Sequence, residues 1–240
     1  FHECVHLIPV SSLLRRQMET RFEALMHYVN ELPLFPLPQM VFFPHTVLPL
    51  HIFEPRYRDM VRDVQERGLP IVMGNIDPNG GLNKYGQPNV LPIAGVGFLS
   101  RCEELPDGRF LIELEGASRV KIINEHAPNR SYRTVAVEVL DPDDGEKEAI
   151  DQAKHSIQVL VMGLTQQNAR VGEYLQYLIR KAPDASALAD SIAASIITDH
   201  EARQALLENL DVVSRLDAVV ARMAELMALA ARPDPNTKFN

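Results

Sequence analysis

The sequence predicts an α+β protein in which an antiparallel β barrel is followed by a helical bundle. Residues 31–140 carry 12 of the 17 prolines and 9 of the 12 glycines, so turns are concentrated in that stretch. The same stretch contains short runs with strand periodicity, whereas apolar residues after position 141 recur at helical spacing. Strands followed by helices, without βαβ alternation, are typical of α+β proteins. Many short strands with tight connections favour a small barrel over an open sheet.

The strands are predicted from alternating apolar residues and from turn residues. Phe110, Ile112 and Leu114 alternate with their neighbours at the period of a half-buried strand, and Asp107-Gly108 provides a turn before them. The other predicted strands cover residues 70–76, 91–100, 118–124 and 132–140. One helix interrupts this series, because Pro55 suits a first helical turn and Gly68 ends the apolar stripe.

The helices are predicted from apolar residues spaced three and four apart, over 150–164 and over a last helix at about 212–231. Thr198-Asp199-His200-Glu201 has the form of a capping box, with Thr198 as the N-cap. The predicted division is an N-terminal extension, a β-rich subdomain, a helical subdomain and a tail. Their ranges are 1–30, 31–140, 141–232 and 233–240.

Composition excludes several classes of protein. The 240-residue chain has a formal net charge of −8, so a surface that neutralises phosphates is not a global feature. Two cysteines, Cys4 and Cys102, do not form a disulfide scaffold and favour a reducing, cytoplasmic compartment. No apolar run approaches the roughly 18 to 20 residues that a membrane helix needs.

The motifs of known catalytic sites do not lead to an enzyme. His2 to His6 match the HExxH pattern of zinc enzymes, but Pro9 leaves little helix to align the two rings, so we interpret the match as chance. Ser118 and Lys121 match the SxxK pattern, yet on a strand residues three apart point to opposite faces. Neither a P-loop nor a GxSxG motif occurs. The sequence predicts no catalytic residue, no metal and no cofactor.

Two other groups of polar residues have ordinary interpretations. The acidic stretch 141–146 does not fit a calcium loop, because Leu140 and Pro142 would occupy ligand positions. We interpret it as a linker before a helix N-terminus. His45 and His51 flank an apolar strand, where histidines are more often structural than metal ligands.

Residues 32–57 form the most informative segment, LPLFPLPQMVFFPHTVLPLHIFEPRY. This segment resembles the start of the N-terminal, LON substrate-binding domain of Lon proteases, in the stand-alone bacterial form without ATPase or protease domains. The resemblance extends over about residues 31–231. Its further matches are Gly95-Val96-Gly97, Asp107 to Phe110, Glu115 to Arg119, Ala189-Asp190, Arg203 to Glu208 and Arg215-Leu216.

The resemblance implies a PUA-like β pseudo-barrel followed by a helical subdomain. Since the Walker motifs and the Ser–Lys dyad of full-length Lon have no matching positions, ATP-dependent proteolysis is not implied. The implied role is binding of unfolded or hydrophobic polypeptide segments, as an adaptor or regulator beside an ATP-dependent protease. No membrane partner is expected, nucleic acid is disfavoured, and homo-oligomerisation is left open. The alternative is a PUA-like RNA- or nucleotide-binding module, whose binding would weaken steeply with salt.

Peptide binding by such a domain would use exposed strand edges and an apolar groove. The predicted peptide-binding residues are Phe42, Phe43, His51, Ile52, Phe53 and Tyr57. At least half of them are expected to be core, because Val41-Phe42-Phe43 and Ile52-Phe53 also fit buried strands.

Overall fold

The computed structural model describes residue 23 and residues 25–230. Within these residues the strands are β1 Leu32–Pro38, β2 Val47–Ile52, β3 Ile71–Ile76, β4 Ile93–Glu104, β5 Phe110–Glu125 and β6 Arg133–Leu140. The helices are α1 Pro55–Arg67, α2 Lys147–Gln167, α3 Ala169–Lys181, α4 Ala185–Ile196, α5 His200–Glu208 and α6 Val212–Ala230. Strands therefore precede the helical half, which confirms the predicted α+β class.

The sheet closes into a barrel. Its strand order is β2-β5-β4-β3-β1-β6, and β6 pairs a second time with β5. Closure leaves β2 outside the ring, paired with β5 on one side only among the described strands. One pair, β1 with β3, is parallel. The chain between these two strands passes through β2 and α1, which gives the long crossover that a parallel pair requires.

Two sequence predictions in the β half differ from the structure. The two strands predicted on either side of Gly116 are one 16-residue strand, β5. The buried strand predicted at Val41-Phe42-Phe43 is a buried loop. A Cβ at Gly116 would collide with the carbonyl oxygen of Phe43, and one at Gly95 would collide with that of Phe42. Glycines in the sheet thus let the loop backbone lie directly against it.

The first turn of α5 also differs from the prediction. Asp199, not Thr198, is the N-cap, and its carboxylate accepts a hydrogen bond of 2.8 Å from the backbone N–H of Ala202. The helix begins one residue later than the capping-box pattern predicts, and Asp is among the best N-cap residues.

The helical half and the barrel share buried contacts. Val41 and Phe43 belong to the same apolar cluster as the inward faces of α2, α4 and α6. Beside this cluster, Arg119 of β5 and Arg215 of α6 both bind the carboxylate of Asp190 on α4. All three side chains are buried, so an ion network lies within the contact between the two halves.

Residues before β1 also contribute to the core. Residues 25–28 form a helical turn, and Leu25 is fully buried in the cluster that lines the barrel. The folded core therefore includes a residue that precedes the predicted β-rich subdomain of residues 31–140.

Candidate functional site

Four of the six predicted peptide-binding residues are core residues. Phe42, Phe43, Ile52 and Tyr57 are each 5% exposed or less. The rings of Tyr57 and Phe35 lie 4.3 Å apart, and burial raises the pKa of the Tyr57 hydroxyl. Side chains at these positions offer no surface to a ligand, because they fill the space under the sheet and between the two halves.

The other two predicted residues are exposed and adjacent. Phe53 is 61% exposed, and its ring centroid lies 6.1 Å from that of His51, which is also exposed. Leu111 of β5 is directly opposite His51 in the β2–β5 register, and Val47 begins β2. Both aliphatic side chains are exposed, Val47 at 60% and Leu111 at 43%. We call Val47, His51, Phe53 and Leu111 the edge surface.

Sequence reasoning missed Val47 and Leu111, although a signal was present. Leu111 lies on the solvent-facing side of β5, whose buried side carries Phe110, Ile112 and Leu114. An aliphatic residue in the solvent-facing phase of a half-buried strand is a reason to expect a contact surface.

The backbone at this edge has an alternating pattern. The backbone N–H of Gly116 donates to the carbonyl of Thr46, so Thr46 directs its carbonyl toward β5. With a period of two, Leu48, Leu50 and Ile52 also bond to β5, while Val47, Pro49 and His51 direct their backbone groups outward. Pro49 has no N–H, and an outward-facing edge position is where a strand tolerates proline. The free edge therefore offers N–H groups at Val47 and His51 and carbonyl groups at all three outward residues.

Charged side chains border the edge surface without covering it. Arg101 of β4 lies 3.2 Å from a carboxylate oxygen of Glu103 and 3.7 Å from one of Glu113. At the β4–β5 turn, the backbone N–H of Arg109 donates to Asp107, and this bond lowers the pKa of the Asp107 carboxyl. These pairs are exposed, so they contribute solubility more than stability.

The candidate catalytic motifs do not form a site in the described part of the chain. Ser118 and Lys121 lie on strand β5, where Ser118 Oγ donates to the neighbouring Arg119 carbonyl. His2, Cys4 and His6 lie outside the described residues. Across residue 23 and 25–230, no cluster of three His, Cys, Asp or Glu side chains could hold a metal ion. Over the same residues, no helix combines the length and apolarity needed to cross a membrane.

A cleft between α2, α3 and α4 has a volume of about 150 Å³. Ile157, Ile179 and Leu188 line it, with Lys154 and Asp184 as its charged residues. Pockets for small ligands are usually about 300–1,000 Å³. This cleft is too small to bury a cofactor or a substrate of ordinary size.

Comparison with known proteins identifies the relatives of this chain. The chain is 23% identical over 192 residues to Lon protease 1 of Syntrophobacter fumaroxidans, an alignment that covers 80% of this chain and 23% of that protein. It is 26% identical over 214 residues to a Lon protease of Chloroflexus aggregans, with 87% and 26% covered. The chain thus spans about a quarter of the length of these curated relatives.

Solved structures show the same fold. The N-terminal domain of a Mycobacterium avium complex Lon protease superposes with a TM-score of 0.63 at 18% identity, covering 82% of this chain and 99% of that one. A Lon N-terminal domain protein from Xanthomonas campestris superposes with a TM-score of 0.56 at 22% identity, covering 80% of this chain and 98% of that one. The family model of the ATP-dependent protease La (LON) substrate-binding domain matches residues 31–225. The chain therefore belongs to the LON substrate-binding domain family.

Proposed function

We propose that this chain is a non-catalytic polypeptide-binding protein that holds unfolded or hydrophobic segments and serves as an adaptor or regulator for an ATP-dependent protease. The observation that carries the proposal is the outer edge of β2, which pairs with no other strand of the described part of the chain and is bordered by exposed apolar side chains. An edge of this kind accepts an added strand from another chain. Membership of a family named for substrate binding supports the same role.

In this mechanism an extended segment pairs with β2. Its backbone bonds to the outward groups of Val47, Pro49 and His51. Its side chains on the outer face contact His51 and Phe53, and long side chains reach across β2 to Leu111, about 10 Å from the added strand. Each backbone bond contributes about 0.5–1.5 kcal/mol net and reads no side chain, so many sequences are accepted. Because Pro49 removes one donor, pairing is weaker at the centre of β2, which favours reversible capture.

The side-chain contribution at Phe53 follows from its exposure. A phenylalanine buries about 150–250 Å² when fully covered, so at 61% exposure about 90–150 Å² remain available. Covering half of that area contributes about 1–2 kcal/mol at roughly 25 cal/mol per Å². Loss of this contact as Phe53→Ala corresponds to a roughly tenfold weaker affinity.

The test is the binding of a labelled, unstructured apolar peptide to the full chain, measured by fluorescence anisotropy. Phe53→Ala and Leu111→Ala are expected to weaken binding, whereas Met162→Ala and Val159→Ala, which truncate comparably exposed residues on α2, serve as matched controls. Equal effects in both sets would refute the edge surface as the binding site.

Salt dependence and activity assays separate the proposal from its rivals, and a core variant tests where the binding site lies. Binding through apolar and backbone contacts is expected to change little between low and moderate salt, whereas binding of RNA phosphates would weaken steeply. The purified chain is expected neither to cleave casein nor to consume ATP. Phe43→Ala is expected to lower stability by about 3–5 kcal/mol, because the side chain is buried, and to leave the affinity of the folded protein unchanged.

A further inference from the structure

Helix α3 exposes a stripe in which two tyrosines lie between two basic residues, and the edge-surface proposal does not use it. Arg170, Tyr174, Tyr177 and Lys181 are spaced four, three and four residues apart, so they lie on one face of the helix. The opposite face is buried through Gly172 and Leu175. We call these four residues the α3 stripe.

The two tyrosines are exposed although they are large and half apolar. Tyr174 is 52% exposed and Tyr177 is 48% exposed. The Tyr174 hydroxyl lies 3.5 Å from Ser195 Oγ on α4, and the Lys181 ammonium lies 5.9 Å from the Tyr177 ring centroid. These contacts orient both rings along the helix surface and leave an aromatic face between two cations. Tyrosine and arginine are enriched where proteins bind partners.

The charge of α3 is opposite to that of its surroundings. The helix carries three basic residues and one acidic residue, whereas residues 141–240 have a net charge of −6. Neither Arg170 nor Lys181 forms an ion pair within the described residues. Two unpaired cations at the ends of an aromatic stripe, in an acidic half, form a local positive site for a negatively charged partner.

We propose that the α3 stripe docks an acidic polypeptide segment that carries apolar side chains between its acidic residues. Eleven residues of helix separate Arg170 from Lys181, a distance of about 16 Å. An extended segment covers that distance in about five residues. Because only even spacings share one face of an extended segment, two carboxylates four positions apart lie on the same face, about 13 Å apart. The long side chains of Arg170 and Lys181 span the remaining distance, and the residue between the carboxylates on that face covers the tyrosine rings.

A peptide is favoured over a nucleic acid by the same observations. Phosphate binding gains affinity from each neutralised charge, and the stripe has only two cations in a chain of net charge −8. The tyrosines could stack on bases, so an oligonucleotide is the direct competitor in the test.

The experiment titrates the full chain with three labelled probes: a leucine-rich peptide with two glutamates four positions apart, the same peptide with lysines in their place, and a uridine oligonucleotide. The glutamate peptide is expected to bind at least roughly tenfold more tightly than either other probe. The double variant Arg170→Glu/Lys181→Glu is expected to abolish this preference. Lys121→Glu/Lys147→Glu, which makes the same change in net charge at exposed positions elsewhere, is expected to preserve it.

Tyr174→Ala/Tyr177→Ala is expected to lower the affinity for the glutamate peptide roughly tenfold. The circular dichroism spectrum is expected to stay unchanged, because both rings are exposed. Tighter binding of the oligonucleotide overturns the proposal, as does a glutamate preference that survives the Arg170/Lys181 double variant. The same titrations in the Phe53→Ala/Leu111→Ala background, where capture at the edge surface is weakened, are expected to keep the glutamate preference, so that failure of this proposal is distinguishable from failure of the proposed function.

Discussion

The buried ion network between barrel and helices predicts that loss of its carboxylate destabilises the protein more than loss of one of its two guanidinium groups. Arg119 donates to both carboxylate oxygens of Asp190, at 2.8 and 2.6 Å, and to the Leu207 carbonyl at 2.9 Å. Arg215 donates to the same carboxylate and, at 2.9 Å, to Ser186. Two guanidinium groups thus share one carboxylate. Burial lowers the pKa of Arg215, Asp190 raises it, and the like charge of Arg119 lowers it further.

Asp190→Asn leaves both guanidinium groups buried without a counter-charge. Removing one partner of a buried pair costs about 3–5 kcal/mol, a large part of the roughly 5–15 kcal/mol that stabilises a typical domain. Arg119→Met instead leaves one cation with one carboxylate, and an apolar chain fills part of the vacated space. Its main cost is the unsatisfied Leu207 carbonyl, about 1–3 kcal/mol.

Urea unfolding followed by circular dichroism measures both changes as shifts of the midpoint at constant slope. Asp190→Asn is expected to be the more destabilising by about 2 kcal/mol. If Arg119→Met costs as much or more, the view that the network carries an excess of positive charge is wrong.

Two further predictions concern a helix cap and a buried hydroxyl. Asp199→Ala is expected to lower the free energy of unfolding by about 1 kcal/mol, because it removes the N-cap of α5. Thr198→Ala is expected to lower it by less than about 0.5 kcal/mol. Equal losses in the two variants would contradict the assignment of Asp199 as the N-cap. Burial, with a 2.6 Å hydrogen bond to Asp63, raises the pKa of Tyr132 to about 12 from 10.0. The pKa of Tyr132 is higher in the folded state than in the unfolded state, so the neutral hydroxyl stabilises the folded protein. This contribution to the free energy of unfolding is complete below about pH 10 and is lost as pH rises toward 12. The stability difference between wild type and Tyr132→Phe, measured by denaturation across that range, is expected to narrow by up to roughly 3 kcal/mol, and a constant difference would contradict the assignment.

Features set by neighbouring residues were predictable from the sequence. Helix α1 begins at Pro55, and Gly68 ends it with a positive φ of 67°, as the pattern indicated. The inward phase of β5 is buried at Phe110, Ile112 and Leu114, because alternation alone fixes which side chains share a face. Such signals depend on φ preferences and periodicity, which act over a few residues.

Features set by distant contacts were not predictable in this way. The composition around Phe42 and Phe43 fits a strand, but the two residues lie in a loop. The backbone of this loop packs against glycines of the sheet that come more than fifty residues later in the chain. Their burial separates them from Phe53, which is only ten residues further along the chain and exposed. Asp190 and Arg119, 71 residues apart, gave no local sign that they form one buried ion pair.

Amide hydrogen exchange at the free edge of β2 tests strand addition most directly. The backbone N–H groups of Val47 and His51 point outward and bond to none of the strands in residues 25–230, whereas those of Leu48 and Leu50 bond to β5. With a saturating unstructured apolar peptide, residue-resolved exchange by NMR is expected to slow at Val47 and His51 and to stay unchanged at Leu48 and Leu50. Peptide binding that leaves the exchange of Val47 and His51 unaltered would contradict the capture of polypeptide at this edge.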